Sequence, residues 1–219
     1  MSAPVPNTNQ KKNITKTVII LLAIMAVFMV LFLHKMLSPR ILNHQQLLAN
    51  GAVEFNKPRI IPPFSLVDDT NHAFTLEQLK DHWTVVYFGF TSCPDICPTT
   101  LAMLSKWYSS LDQAVQDKTQ VVMISVDPGR DTVALLHDYM AHFNDDFIGV
   151  TGDLRDIRIL ADQLNVTFQR ASADENYSVD HSGHLVLINP YGHYHGLFKP
   201  PFDMARLKLT YLSMVTMFD

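Results

Sequence analysis

Thr84-Val85-Val86-Tyr87-Phe88-Gly89-Phe90-Thr91-Ser92-Cys93-Pro94-Asp95-Ile96-Cys97-Pro98 is the stretch that decides the fold. Its first seven residues form a nearly continuous apolar run rich in β-branched and aromatic side chains, the pattern of a buried parallel strand. Two cysteines four positions apart follow at once, and a helical pattern then runs through about Val115. Strand, cysteine-bearing turn and helix make a βα unit. In open α/β sheets ligand chemistry gathers at the carboxyl ends of the strands, so the loop after Phe90 is a place to look.

Working outward, residues 120–126 (QVVMISV) read as a second buried strand that ends at Asp127-Pro128-Gly129. Asp131 is placed to cap a helix to about Phe143, and Asp153 to precede another to about Leu164. Residues 166–170 look extended. Residues 184–189 and 193–198 form a hairpin around Pro190-Tyr191-Gly192, and Asp203 opens a last helix. On the N-terminal side, residues 64–67 and 73–74 flank the polar turn Asp68-Asp69-Thr70-Asn71, and Thr75 is a plausible N-cap for a short helix. The βαβ…ββα order predicts an α/β sandwich with a central mixed sheet.

The chain has 219 residues, 47% of them hydrophobic and 17% charged, which excludes wholesale disorder. Two cysteines are too few for a disulfide-rich scaffold or a four-cysteine zinc site. A net charge of −4 argues against a nucleic-acid binder. That figure hides an asymmetry. The first forty residues hold Lys11, Lys12, Lys16, Lys35 and Arg40 and no acid, while residues 41–219 carry twelve basic against twenty-one acidic side chains.

Thr17 to Leu33 reads TVIILLAIMAVFMVLFL, without a charge, Gly or Pro. As a helix it spans about 25 Å, and with Met36 and Leu37 it approaches the hydrocarbon thickness of a bilayer. A core helix would show a polar stripe, and a cleaved signal peptide a small-residue site after the apolar run; neither is present. Residues 17–37 are therefore read as an uncleaved single-pass anchor, with cleavage the second reading. The positive excess at residues 1–16 keeps that end in the cytoplasm and places the rest outside, in a bacterium the periplasm. Residues 38–62, with Pro39, Pro58 and Pro62, read as a tether with a short helix around residues 42–48. Residues 63–219 read as the folded domain.

Cys93 and Cys97 are the only cysteines. On a helix their thiols face one side, close enough for a disulfide or for pinching one metal ion. A helix N-terminus is expected to lower the thiol pKa. A structural disulfide closing so short a loop would remove little unfolded-chain entropy, so reactive chemistry is favoured. Thiol–disulfide exchange and metal binding both stay open: the Cys-x-x-Cys motif of oxidoreductases is absent, and two soft thiolates suit Cu(I). A third ligand is wanted. Of the ten histidines, His34, His44, His72, His82, His137 and His142 fall in the tether, turns or helix faces. His193 and His195 read as a surface pair. His181, in a polar loop, competes with His184.

Phe-Gly-Phe-Thr-Ser-Cys-Pro-Asp-Ile-Cys-Pro at 88–98 closely resembles the copper motif of the Sco (SenC) proteins. Ser125-Val126-Asp127-Pro128-Gly129-Arg130-Asp131-Thr132 is similar to that family's second block, and Val179-Asp180-His181-Ser182 to its third. The resemblance runs from about Pro62 to the C-terminus. Val133 and Gly129 depart from the usual residues. The resemblance implies a thioredoxin-like fold with an added β-hairpin. It also implies a copper site with Cys93, Cys97 and His181 as ligands to Cu(I) or Cu(II), ordered by Asp127 behind them. It further implies a role in assembling the binuclear copper centre of cytochrome c oxidase. The partners would be the copper-bearing oxidase subunit, a copper donor protein and a thiol reductant. Two further readings stand beside copper delivery: a thiol–disulfide reductase using Cys93 and Cys97 as its redox pair, and a copper or redox sensor.

Overall fold

The computed structural model describes residues 8–37, 41–171 and 177–218. The chain divides into two units, Met1–Arg40 and Ile41–Asp219. The first contains α1 (Thr8–Leu37), which begins well before the expected anchor start at residue 17. Within it Asn13–Met36 is long and apolar enough to cross a membrane, the one such helix among the described residues.

The second unit opens with α2 (His44–Ala49) and β1 (Ala52–Ile60). Residues 41–61 are thus not a tether, and the folded domain starts earlier than residue 63. Asn43 caps α2 in a reciprocal capping box with Gln46. Leu42, Leu47, Ala52 and Ile61 are buried, and the Leu42 N–H donates to Ser213 Oγ at 3.0 Å. Of the prolines that suggested a tether, Pro58 lies within β1, an edge strand, where a missing N–H can face outward; Pro39 lies outside the described residues.

There follow β2 (Ser65–Asp68), β3 (Ala73–Thr75), a 3₁₀ turn at Leu76–Leu79 capped by Thr75, and β4 (Trp83–Gly89). Next come α3 (Ile96–Ser110), α4 (Gln113–Gln116) and β5 (Thr119–Ser125). Then α5 (Val133–Ala141), β6 (Ile148–Thr151), α6 (Leu154–Gln163), β7 (Phe168–Arg170) and β8 (Val179–His181). The unit ends with β9 (Leu185–Ile188), β10 (His193–Phe198) and α7 (Met204–Phe218).

One eight-stranded sheet runs in the order β1-β10-β9-β4-β5-β6-β2-β3, and β7 and β8 form a separate ribbon. The β4–β5 and β5–β6 pairs are parallel and the other pairs antiparallel, the mixed sheet that the element order predicted. All seven residues of β4 are buried, as a central strand covered on both faces requires. Trp107 of α3 meets Tyr211 of α7 edge-on at 5.0 Å, and both rings are fully buried.

Further details differ from expectation: α3 ends at Ser110, short of Val115, and His181, expected in a loop, lies on β8. Strand β6 was missed because four residues containing a glycine carry little periodicity. Thr132, not Asp131, caps α5, its hydroxyl accepting from Leu135 N–H. Asp131 is instead buried among hydroxyls at the ends of β4 and β5.

Candidate metal centre

Beyond β4 the chain turns, with Cys93 N–H donating to Phe90 C=O at 3.3 Å. Helix α3 begins at Ile96, and its N-cap Asp95 makes no side-chain capping bond. The Cys97 N–H, an unpaired first-turn donor, instead points at Cys93 Sγ, 3.4 Å away. Both thiols are free. Cys97 is fully buried, whereas Cys93 retains 8% exposure.

His181 arrives from the far end of the chain on β8. Its register partner on β7 is Phe168, and Ser182 locks the ribbon end by donating its N–H to Thr167 C=O at 2.9 Å. His181 Nε2 lies 3.6 Å from Cys97 Sγ. The other ring nitrogen, Nδ1, is 3.2 Å from the Ser182 carbonyl, which can only accept. That contact places the proton on Nδ1 and turns the Nε2 lone pair toward the sulfur. Tyr87 and Phe90 meet the imidazole edge-on at 5.8 and 6.1 Å. Cys97 is therefore the shared neighbour of Cys93 and His181. Among the described residues no three His, Cys, Asp or Glu side chains are placed to hold one ion together, so in this arrangement the two sulfurs and the imidazole are neighbours rather than a formed three-ligand site. As a donor set, two sulfurs plus an imidazole suit a soft metal.

Burial sets the electrostatics. It pushes the Cys97 thiol up to about 12, with the Cys93 thiol contributing, against the lowering expected at a helix N-terminus. A partial dipole charge cannot offset removal of the thiolate from water at this depth. Burial also lowers the His181 pKa, keeping the ring neutral at pH 7, the form that ligates metal. The buried Tyr87 hydroxyl sits beside Cys97 and Thr100, and burial with the neighbouring Cys97 raises its pKa.

Asp127 is nearly buried and touches none of the three candidate ligands through a hydrogen bond among the described residues. It accepts from Arg130 Nε and, at 2.5 Å, from the Tyr177 hydroxyl. Arg130 also donates to the Tyr177 carbonyl at 3.1 Å. Tyr177 leads into β8, so Asp127 braces the segment that carries His181. Asp131 ties the two strand ends together, accepting from Thr91 Oγ1 and Ser125 Oγ, each at 2.6 Å. Sequence reasoning missed this second aspartate, and also Tyr87 and Phe90 as walls of the site. Their place beside the cysteine motif was the available signal.

The expected surface pair divides. His195 is buried, with Nε2 3.2 Å from Glu54 Oε1 and its ring edge-on to Trp83 and Phe218. A register shift in β10 between Tyr194 and Gly196 interrupts the regular alternation that would give His193 and His195 the same surroundings. His184, the rival to His181, is half-buried, and among the described residues its Nε2 has no hydrogen-bond partner, a sulfur included.

The protein-family model described as SCO1/SenC matches residues 53–212. A SCO2-like protein of Rickettsia prowazekii is 35% identical over 187 residues, covering 84% of this chain and 89% of the relative. Among solved structures, copper-bound ScoI of Arabidopsis thaliana superposes with a TM-score of 0.66 at 33% identity, covering 72% of this chain and 99% of that one. Copper-bound yeast Sco1 gives a TM-score of 0.66 at 29% identity, covering 73% and 90%.

Proposed function

The chain belongs to the SCO1/SenC family, and from that premise we propose that it is a membrane-anchored copper carrier that helps assemble the binuclear copper centre of cytochrome c oxidase. Cys93 and Cys97 supply thiolates, His181 supplies the imidazole, and Asp127 positions β8 through Tyr177. The observation that carries this reading is the 3.6 Å approach of His181 Nε2 to Cys97 Sγ, made across the fold by residues 84 positions apart. Copper in the Arabidopsis and yeast relatives supports the choice of metal. The apolar helix anchors the chain in a bacterial inner membrane, with its lysine-rich end in the cytoplasm and the folded unit in the periplasm.

A carrier must release its cargo. Three ligands leave coordination positions that an acceptor can enter, so copper passes by stepwise ligand exchange. Loading displaces the thiol protons, and copper retention therefore weakens as pH falls. An oxidised Cys93–Cys97 pair cannot bind, which makes loading in the periplasm conditional on a reductant.

His181→Ala is the test. Loss of a direct imidazole ligand should weaken Cu(II) binding by about 100-fold or more, beyond the usual effect of changing a ligand's hydrogen-bond partner, while two thiolates retain much of the Cu(I) affinity. Unchanged Cu(II) affinity in a competition titration would remove His181 from the site. The unequal exposure of the cysteines favours one second reading, thiol–disulfide exchange with Cys93 as the accessible sulfur and Cys97 as the resolving one. It requires a mixed disulfide trapped by Cys97→Ser.

A further inference from the structure

Tyr87 lies on β4, the strand that leads into the cysteine turn, and it is fully buried. Its ring meets the His181 imidazole edge-on at 5.8 Å, with the two planes 73° apart. Gly89, two residues on and on the same face of the strand, leaves room for that ring. A Cβ there would stand 2.9 Å from Tyr87 Cε1. The hydroxyl at the far end of the ring is sealed from solvent and lies beside the Cys97 thiol and Thr100. Tyr87 therefore borders two of the three candidate ligands, the imidazole with its ring and the sulfur with its hydroxyl.

A buried hydroxyl has one proton to donate, and leaving it without a good acceptor costs free energy. Cys97 is sealed as well, and as a thiol it is a weak acceptor. As a thiolate it is a strong one, because a hydrogen bond to an ionised partner is roughly twice as strong as a neutral one. Exchange of the thiol proton for a metal thus strengthens this contact just as it creates charge out of reach of water. His181 cannot serve as the donor, since its proton sits on Nδ1 and faces the Ser182 carbonyl at 3.2 Å. The Cys97 N–H is turned to the other sulfur, Cys93 Sγ, at 3.4 Å. The donors beside the Cys97 sulfur are the Tyr87 hydroxyl and the Phe90 backbone N–H.

We propose that Tyr87 is a positioning residue whose hydroxyl donates to the Cys97 sulfur in the copper-loaded state, an inference that rests on the function proposed above. The hydrogen bond holds the thiolate in place and draws electron density from it. The two sulfurs are then unequal ligands, Cys97 held by a phenol inside the fold and Cys93 left with some exposure.

The test compares the full chain in detergent with Tyr87→Phe and Tyr194→Phe, each loaded with Cu(II) and, separately, with Cu(I). Y87F keeps the ring beside His181 and removes only the oxygen. Y194F removes a hydroxyl from another fully buried ring, one that packs edge-on to Phe55. Without its donor the thiolate gives electron density to copper more readily, so the sulfur-to-Cu(II) charge-transfer band of Y87F should move to longer wavelength. Affinity for both copper ions in a competition titration should fall about 10-fold, the lower end of what loss of a ligand's hydrogen-bond partner costs. Y194F should keep the wild-type band and affinity. The copper–sulfur stretch of the wild-type chain in resonance Raman spectra should shift between ordinary and heavy water, and should shift less in Y87F.

A Y87F band at the wild-type wavelength, even with weakened affinity, would overturn donation by Tyr87 and leave the copper carrier standing. An equal change in Y194F would overturn it too, by reducing the effect to loss of any buried hydroxyl. A wild-type stretch that is the same in both waters would overturn it even if Y87F does not fold. No copper binding by the wild-type chain would overturn both readings.

Discussion

Alkylation of Cys97 in a Cys93→Ser chain measures directly what burial does to the innermost sulfur. The thiol is pushed up to about 12 from an ordinary 9.0, with burial the largest cause, so the shift should survive loss of the Cys93 thiol. At pH 8 such a group is ionised to roughly one part in ten thousand, against roughly one in ten for an unperturbed thiol. The more basic thiolate is the better nucleophile, which recovers about a factor of 20 to 30 of that thousandfold deficit. Iodoacetamide should therefore react about 30 to 50 times more slowly than with a free cysteine, and more slowly still once steric access is counted. Mass spectrometry across a pH series of the metal-free protein reads the rate, and denaturant supplies the unperturbed reference. The unfolded thiol loses its proton first as pH rises, so this group's contribution to stability is complete below about 9.0 and is lost toward about 12. A rate–pH midpoint at or below 9.0 in the folded protein would refute the argument that burial outweighs the helix terminus.

Leu47→Ala should destabilise residues 41–219 by about 2–5 kcal/mol, because a fully buried leucine is removed from α2. Urea unfolding gives the value, and a change within about 0.5 kcal/mol would restore the tether reading of this segment. Tyr177→Phe removes the hydroxyl that bonds to Asp127 and should cost about 1 kcal/mol. It should also lower copper affinity by loosening β8, and a variant with unchanged affinity would show that the Asp127–Tyr177 contact does not position His181.

The β4–turn–α3 unit, strand β5, the closing hairpin and helix, the membrane-length apolar run and the cysteine pair could be read from the chain alone. Each is a local signal: seven contiguous buried residues in β4, an uncharged run at residues 17–33, two thiols four positions apart. The candidate histidine needed the family blocks, because spacing along the chain does not distinguish His181 from His184. Tertiary structure alone decided that residues 41–61 belong to the folded unit. Polar residues and a proline interrupt their apolar positions, and only pairing of β1 with β10 and the contact of Leu42 with Ser213 explain their burial. It also turned His195 inward beside a register shift that no alternation rule foresees. Above all, it raised the Cys97 pKa where the helix start predicted the reverse. A helix terminus is a property of a few neighbouring residues. Desolvation depends on everything that the folded chain packs around one atom.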